Sequence, residues 1–213
     1  MDMQSVDHLL TTTRSVRKRL DFDRPVEREV VEKCLDLALQ APTGSNLQGW
    51  RFVIVSDAEK REQISDLYRK AFQIYASTPN PAHPQDQTDP RATQMQKVVS
   101  SAVYLAENMH RSPLLVIPCY EGRVETAGVL AQASYYGSIL PAAWSFMLAL
   151  RSRGLGTAWT TLHLMYEKEA AAILGIPDNV TQTCLLPVAY FQGEDFQPAK
   201  RLPVQQVISY DHW

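Results

Sequence analysis

The sequence predicts an α+β fold in a single domain that spans residues 1–213. Three apolar runs of strand length, WRFVIV (50–55), LLVIPCY (114–120) and LLPVAYF (185–191), alternate with segments whose apolar residues recur at helical spacing. We find neither an internal repeat nor a stretch with the composition of a linker. A chain of this length can bury a substantial core in one domain.

The first half of the chain predicts helices on both sides of the first strand. Residues 26–40 place apolar side chains from Val30 to Ala38 at helical spacing, and Pro42 ends that pattern. The strand at 50–55 is predicted to be buried, and Asp57 is placed to cap the helix that follows. One face of that helix carries Ile64, Leu67, Tyr68, Ala71, Phe72 and Tyr75.

Residues 77–90, STPNPAHPQDQTDP, contain four prolines and almost no apolar side chains. This composition predicts a long, mobile loop within an insertion of about 77–97. Such a loop either covers a site as a lid or is a plain surface excursion, and the sequence leaves both open. Helical spacing resumes at Val98 and continues to Met109.

Residues 126–150 carry no charged side chain and are long enough to cross a bilayer. They also contain Gln132, three serines and Pro141, so a helix buried in the protein or at a subunit interface is the better interpretation. Residues 156–162 then have extended character, and a short helix around 167–174 ends at a glycine and a proline.

Composition narrows the class of partner. The number of lysines plus arginines (21) nearly equals that of aspartates plus glutamates (23), so the net charge does not favour binding to nucleic acid or an anionic membrane. A small molecule is therefore the expected partner. Three distant cysteines and five scattered histidines indicate neither a disulfide framework nor a metal site. With no basic and apolar leader at the amino terminus, we expect a cytoplasmic protein.

Motifs for phosphate loops, dinucleotide binding, nucleophile elbows and zinc hydrolysis are absent from the sequence. Three polar clusters remain. Residues 12–19, TTRSVRKR, offer hydroxyl and guanidinium groups suited to a phosphate, or are a solvated basic helix end. Residues 42–48, PTGSNLQ, either bring backbone amides close to a flat ligand or form an ordinary turn. Lys200 and Arg201 are a second candidate phosphate-binding site.

In order and spacing, TTRSVRKRL, APTGSNLQGWRFVIV, LALRSRGLGTAWTT and AKRLPVQQVISYDHW resemble the FMN-dependent nitroreductase family across nearly the whole chain. The resemblance implies a nitroreductase-like fold, in which helices surround a central, mostly antiparallel β-sheet and a long core helix is buried. It also implies a homodimer with FMN at the subunit interface and NADH or NADPH as the electron donor.

The resemblance assigns roles position by position. The first segment would hold the phosphate and ribityl side of FMN, and Arg17 would stabilise the reduced flavin electrostatically. Residues 42–48 would reach the flavin of the other subunit, and a backbone amide of residues 159–161 would bind N5, with Thr160 in support. The implied cofactor-binding residues are Thr13, Arg14, Ser15, Arg17, Pro42, Thr43, Gly44, Ser45, Asn46, Gln48, Trp159, Thr160, Thr161, Lys200 and Arg201.

Two positions depart from the family pattern. Thr13 stands where the family has arginine, which shifts phosphate binding towards Arg14 and Arg201. Gly49 stands where the family has proline, which predicts a looser backbone after Gln48.

The function implied is reduction of nitroaromatic, quinone or related small acceptors by a ping-pong mechanism. The flavin itself carries the chemistry, and no side chain is assigned as catalytic. Two alternatives stay open: a specialised member of the same fold (a dehalogenase, a dehydrogenase or a flavin-fragmenting enzyme), and a flavin-binding protein without turnover.

Overall fold

The computed structural model describes residues 2–78 and 90–213, with the side chains of residues 90–93 left aside. The helices are α1 (Met3–Thr12), α2 (Arg28–Ala38), α3 (Ala58–Ser77), α4 (Pro90–Asn108), α5 (Val129–Arg151) and α6 (Glu167–Leu174). The strands are β1 (Leu20–Asp21), β2 (Trp50–Val55), β3 (Leu114–Glu121), β4 (Leu155–Thr157), β5 (Val180–Gln182) and β6 (Leu186–Phe191).

The strands form one sheet in the order β1-β6-β3-β2, with β4 added to β6 and β5 added to β3. Every strand pair is antiparallel. The longest pairing sets β2 against β3, from Trp50 opposite Tyr120 to Val55 opposite Leu115. The predicted α+β fold with a mostly antiparallel sheet is therefore confirmed.

Two buried clusters occupy the space between the sheet and its helices. One joins Phe146 and Leu150 of α5 to Val31 and Cys34 of α2. The other includes Ile64 of α3 with residues of α4, β3 and α6. Each fully buried large side chain contributes roughly 1.5–3 kcal/mol by leaving water, so these clusters hold the helices at defined positions on the sheet.

Helix α5 is the long uncharged segment of the sequence, and its burial confirms the predicted core helix. Ile139, Phe146 and Leu150 have no exposed surface, and the helix continues through Pro141. No helix in the part of the chain that the structure describes has the length and apolar character needed to cross a membrane.

Two expectations about elements need correction. Strand β2 forms at the predicted residues, but among the described strands it pairs only with β3 and is therefore an edge strand, and Ile54 is 37% exposed. Helical structure resumes earlier than predicted, since α4 begins at Pro90 rather than near Val98. The remainder of the predicted mobile loop, residues 79–89, lies outside the described residues.

Candidate functional site

The basic segment after α1 lies alongside β4. Thr13 ends α1, because its backbone is extended, with φ −68° and ψ 126°. Its N–H and its hydroxyl both donate to the carbonyl of Leu9, at 3.0 and 2.6 Å. Ser15 then bridges to Thr157, and the Val16 N–H donates to the Thr157 carbonyl at 2.9 Å. Gly156 allows this approach, since a Cβ there would lie 2.9 Å from the Cβ of Val16. The segment is therefore held by backbone contacts, which leave Arg14 and Ser15 exposed.

The carboxyl-terminal segment joins the same region. Nη1 of Arg14 donates to the carbonyl of Gln197 at 2.9 Å, which brings the chain leading to Lys200 and Arg201 close to the basic segment. Both Lys200 and Arg201 are exposed, and Arg201 donates to the Lys200 carbonyl at 3.3 Å. Arginine, lysine and the Ser15 hydroxyl are donors that suit a phosphate.

Asp195 anchors this carboxyl-terminal segment to the body. Its carboxylate binds Nε2 of His8 at 2.5 Å and the guanidinium of Arg151, and it accepts the Phe196 N–H at 2.8 Å. The guanidinium carbon of Arg19 lies 4.2 Å from the centroid of the Phe196 ring. Sequence reasoning missed these anchors, because residues so far apart in the chain carry no local signal.

Arg17 lines a cavity of about 720 Å³ between α3 and α4. Its Nη1 donates to the hydroxyl of Ser101 at 3.2 Å, and burial lowers the pKa of its guanidinium. Tyr68 shares the cavity, and burial raises the pKa of its phenol to about 12 against the opposing effect of the Arg17 charge. The sequence placed Tyr68 on a buried helix face but gave no sign that this face borders a cavity.

The 159–161 stretch is held more firmly than its extended character predicts. The amide N–H and the hydroxyl of Thr160 both donate to the carbonyl of Leu185, at 3.2 and 2.6 Å, and the Thr160 carbonyl accepts the Leu185 N–H at 2.8 Å. The Thr160 amide is thus already engaged inside the protein. Trp159 is half-buried against the α5 cluster, whereas Thr161 is exposed.

Thr157 has a buried hydroxyl oxygen that finds no hydrogen-bond partner within residues 2–78 and 90–213. It lies directly beside Ser15 through their bridge. A buried polar atom without a partner costs free energy, so a bound group at this position would relieve that cost.

The 42–48 loop packs on α5. The Gly44 N–H donates to the Ser138 hydroxyl at 2.9 Å, the Gln48 N–H to the Thr43 hydroxyl at 3.2 Å, and the Gln48 side-chain amide to Oδ1 of Asn46 at 3.0 Å. Ser45, Asn46 and Gln48 adopt positive φ angles of 51°, 54° and 51°. Such angles are strained for non-glycine residues and are frequent at functional sites.

Gly49 is not a loose point in the backbone, contrary to the sequence-based expectation. It is buried, and a Cβ on it would lie 3.1 Å from the Tyr120 ring. Its carbonyl also accepts the Glu121 N–H at 3.1 Å. Close packing against an aromatic ring is the physical reason for glycine at this position.

The structure brings together the basic segment, the 157–161 stretch and the carboxyl-terminal segment, but not the 42–48 loop. Within the described residues, no hydrogen bond joins that loop to either of the first two. No group of three or more potential metal ligands is found in the same part of the chain. Among the described residues, the 42–48 loop is therefore tied to α5 and not by hydrogen bonds to the basic segment.

The sequence is similar to those of known proteins along most of its length. The model of the Nitroreductase family matches residues 10–190. Iodotyrosine deiodinase 1 of Rattus norvegicus is 24% identical over 211 residues, which cover 98% of this chain and 70% of that protein. A putative NADH dehydrogenase/NAD(P)H nitroreductase of Archaeoglobus fulgidus is 25% identical over 200 residues, 92% of each chain.

A solved structure of an oxidized iodotyrosine deiodinase bound to FMN and 3-iodo-L-tyrosine aligns with a TM-score of 0.71 at 20% identity. The alignment covers 96% of this chain and 98% of that one, so the two share a fold. Since the family model covers most of the sequence, the chain belongs to the Nitroreductase family.

Proposed function

We propose that this protein is an FMN-dependent oxidoreductase that takes electrons from NADH or NADPH and reduces nitroaromatic, quinone or related small acceptors. The observation that carries the proposal is that one short segment, residues 14–17, supplies both exposed phosphate donors and a side chain of the cavity. Exposed Arg14 and Ser15 follow one another on the segment that next places Arg17 in an aromatic cavity. A phosphate group and a flat ring system at the two ends of one ligand suit this arrangement.

The donors of the chain fit FMN. Arg14, Ser15, Lys200 and Arg201 would hold the phosphate, with Thr13 ending the helix just before them. Arg17 would lie at the ring, where its charge favours a ligand that gains negative charge. Because the Thr160 amide is already bound to Leu185, the amide of Trp159 or Thr161 is the better candidate for a contact with the ring edge. The bound flavin supplies the electron transfer.

The pocket is proposed to be complete only in a homodimer. The loop of Pro42, Thr43, Gly44, Ser45, Asn46 and Gln48 lies on α5 and would reach the flavin of a second subunit. In support, α5 leaves Val129 84% and Leu130 85% exposed, and Trp144 is 40% exposed on the same helix. The first half of α5 is largely exposed and its second half is largely buried. Exposed apolar side chains on such a helix are typical of a subunit interface.

Donor and acceptor would use the same cavity in turn, so ping-pong kinetics are expected. A dehalogenase is the second candidate, favoured by relatives that are iodotyrosine deiodinases. A flavin-binding protein without turnover is the third. We also propose a cytoplasmic location, supported by three buried cysteines that form no disulfide.

Anaerobic bleaching tests the proposal. Purified protein loaded with FMN is mixed with NADH or NADPH, and the flavin absorbance is followed. The reduced protein is then mixed with nitroaromatic, quinone and iodotyrosine acceptors. Bleaching followed by reoxidation with nitro compounds or quinones supports the proposal. Reoxidation by iodotyrosine alone favours a dehalogenase, yellow protein that does not bleach favours a binding protein, and failure to take up FMN excludes all three.

A further inference from the structure

The cavity between α3 and α4 has three aromatic rings in sequence along one wall, those of Tyr68, Phe72 and Tyr75. The rings of Tyr68 and Phe72 lie 6.4 Å apart and within 23° of parallel, and Phe72 and Tyr75 are also 6.4 Å apart. Val98, Val99 and Ala102 of α4 form the facing wall. This lining suits a flat aromatic ligand.

Five polar side chains interrupt the apolar lining. The hydroxyls of Ser77 and Thr78 already donate to the Ile74 carbonyl, and Tyr75 is 44% exposed, so Arg17 and the buried Tyr68 are the candidate donors inside the cavity. Arg17 donates one N–H to the Ser101 hydroxyl at 3.2 Å, and its other guanidinium N–H groups can bind a ligand. Tyr68 is only 4% exposed, yet it lines the cavity. Tyrosine is protonated at neutral pH, and burial raises the pKa of the Tyr68 phenol further, to about 12, so the phenol is a donor.

The positive charge in the cavity favours some ligands over others. Arg17 is the one formally charged residue among the lining residues that the structure describes. A half-buried cation beside a neutral phenol favours an oxygen atom that is anionic or becomes more negative on reduction. Among the lining residues that the structure describes, the ammonium group of an amino acid would meet the like charge of Arg17 and no carboxylate.

On the basis of the proposed function, we infer that Tyr68 binds the acceptor. Together with Arg17 it donates hydrogen bonds to an oxygen of a flat aromatic acceptor, a nitro, quinone or carboxylate oxygen. The site thereby prefers neutral or monoanionic aromatics to free amino acids such as iodotyrosine.

The reaction balances without any proton from Tyr68. A quinone, NAD(P)H and one solvent proton give the hydroquinone and NAD(P)⁺. A nitro compound with the same reactants gives the nitroso compound, water and NAD(P)⁺. In both, two electrons pass to the acceptor, negative charge grows on its oxygen, and the phenol of Tyr68 remains a donor throughout.

Two matched variants separate this role from general damage. Tyr68→Phe removes one oxygen from the cavity. Tyr104→Phe removes the same atom from α4 at a position where the ring stacks on Phe22, 6.5 Å away and outside the cavity lining. Both proteins are loaded with FMN and compared with wild type.

The first measurement is binding rather than turnover. Benzoate cannot be reduced, and isothermal titration gives its affinity for the oxidised protein. One lost hydrogen bond to a charged oxygen weakens binding by about tenfold, so Tyr68→Phe should bind benzoate about tenfold more weakly than Tyr104→Phe does. Wild-type protein that binds no benzoate, or equal affinities in both variants, would overturn the inference.

The second measurement compares acceptors. The reduced protein is reoxidised by a quinone and, separately, by ferrocenium, which has no hydrogen-bond acceptor. The ratio of the two rates should fall about tenfold in Tyr68→Phe and stay near wild type in Tyr104→Phe. Iodotyrosine bound more tightly than benzoate would contradict the stated preference. Failure of wild type to bleach with NAD(P)H would instead count against the proposed function, because benzoate binding does not depend on it.

Discussion

Gly49 shows how one residue joins the polar loop to the core. The Tyr120 ring that covers it is 4% exposed and lies edge-on to Tyr135 at 4.9 Å, so the ring cannot easily move away. The residue before Gly49 belongs to the strained loop, and the residue after it begins β2. The packing of Gly49 therefore helps to hold the loop where α5 supports it.

Gly49→Ala is expected to lower the free energy of unfolding by about 1–3 kcal/mol, because the added methyl group overpacks against the Tyr120 ring. Urea denaturation followed by fluorescence measures the change. Gly128→Ala is the control, since a Cβ at that position meets nothing within 4 Å. Equal stability of both variants would show that the ring adapts.

Arg201→Ala is expected to weaken FMN binding by roughly ten- to a hundredfold, since a lost charge-assisted contact with phosphate costs about 1.5–3 kcal/mol. Titration of apoprotein with FMN, followed by flavin fluorescence, measures the affinity. Arg28→Ala serves as control, because that arginine is 87% exposed and pairs with Glu32 on α2. FMN affinity equal to wild type would remove Arg201 from the proposed phosphate site.

Arg17→Ala is expected to change flavin reduction more than flavin retention, because its guanidinium lies in the cavity and not among the exposed phosphate donors. Stopped-flow bleaching with NADH and NADPH at saturating FMN measures the rate. A rate equal to wild type would count against a role of Arg17 at the ring.

At the scale of elements, the strongest sequence signals were confirmed. Asp57 caps α3 as predicted, accepting the Lys60 N–H at 2.9 Å, because a helix cap depends only on neighbouring residues. The exposure of β2 was predicted wrongly, because WRFVIV has the same composition at an edge as in the middle of a sheet. The start of α4 was missed because proline is as common in the first turn of a helix as in a loop.

The segment around Asp195 is an element whose role depends on its anchors. Asp195→Ala removes the acceptor for His8 and Arg151, so the chain leading to Arg201 should move more freely. We expect FMN affinity to fall several-fold, with a smaller effect than that of Arg201→Ala, in the same fluorescence titration. Asp36→Ala on the exposed face of α2 is the control. Full FMN affinity in Asp195→Ala would mean that the anchor does not position the phosphate donors.

At the scale of the whole molecule, His163 couples folding to pH. Its side chain is fully buried, neither ring nitrogen has a partner among the described residues, and burial lowers its pKa to about 4 against a smaller opposing effect of Glu167. In the unfolded chain the imidazole takes up a proton as the pH falls below its ordinary pKa of 6.5, whereas in the folded protein it does so only near pH 4. Stability is therefore present above pH 6.5 and is lost as the pH falls towards 4.

Over that interval the free energy of unfolding should fall by about 3 kcal/mol through His163. Urea denaturation at several pH values measures the slope. His163→Leu should flatten it, whatever its effect on stability at neutral pH. His212→Gln in the exposed tail should keep the wild-type slope. An unchanged slope in His163→Leu would assign the acid sensitivity to other groups.

The sequence by itself determined the α+β class, the longer strands, the buried α5 and the family, because periodicity, caps and short motifs are properties of neighbouring residues. It predicted neither α1 nor the short strands β1 and β5. Only the tertiary structure decided which polar groups are free. The amide of Thr160 is engaged by Leu185, Tyr68 borders a cavity, and Gly49 is held by Tyr120. These contacts join residues far apart in the chain, so they exist only once the sheet has closed and the helices have packed on it.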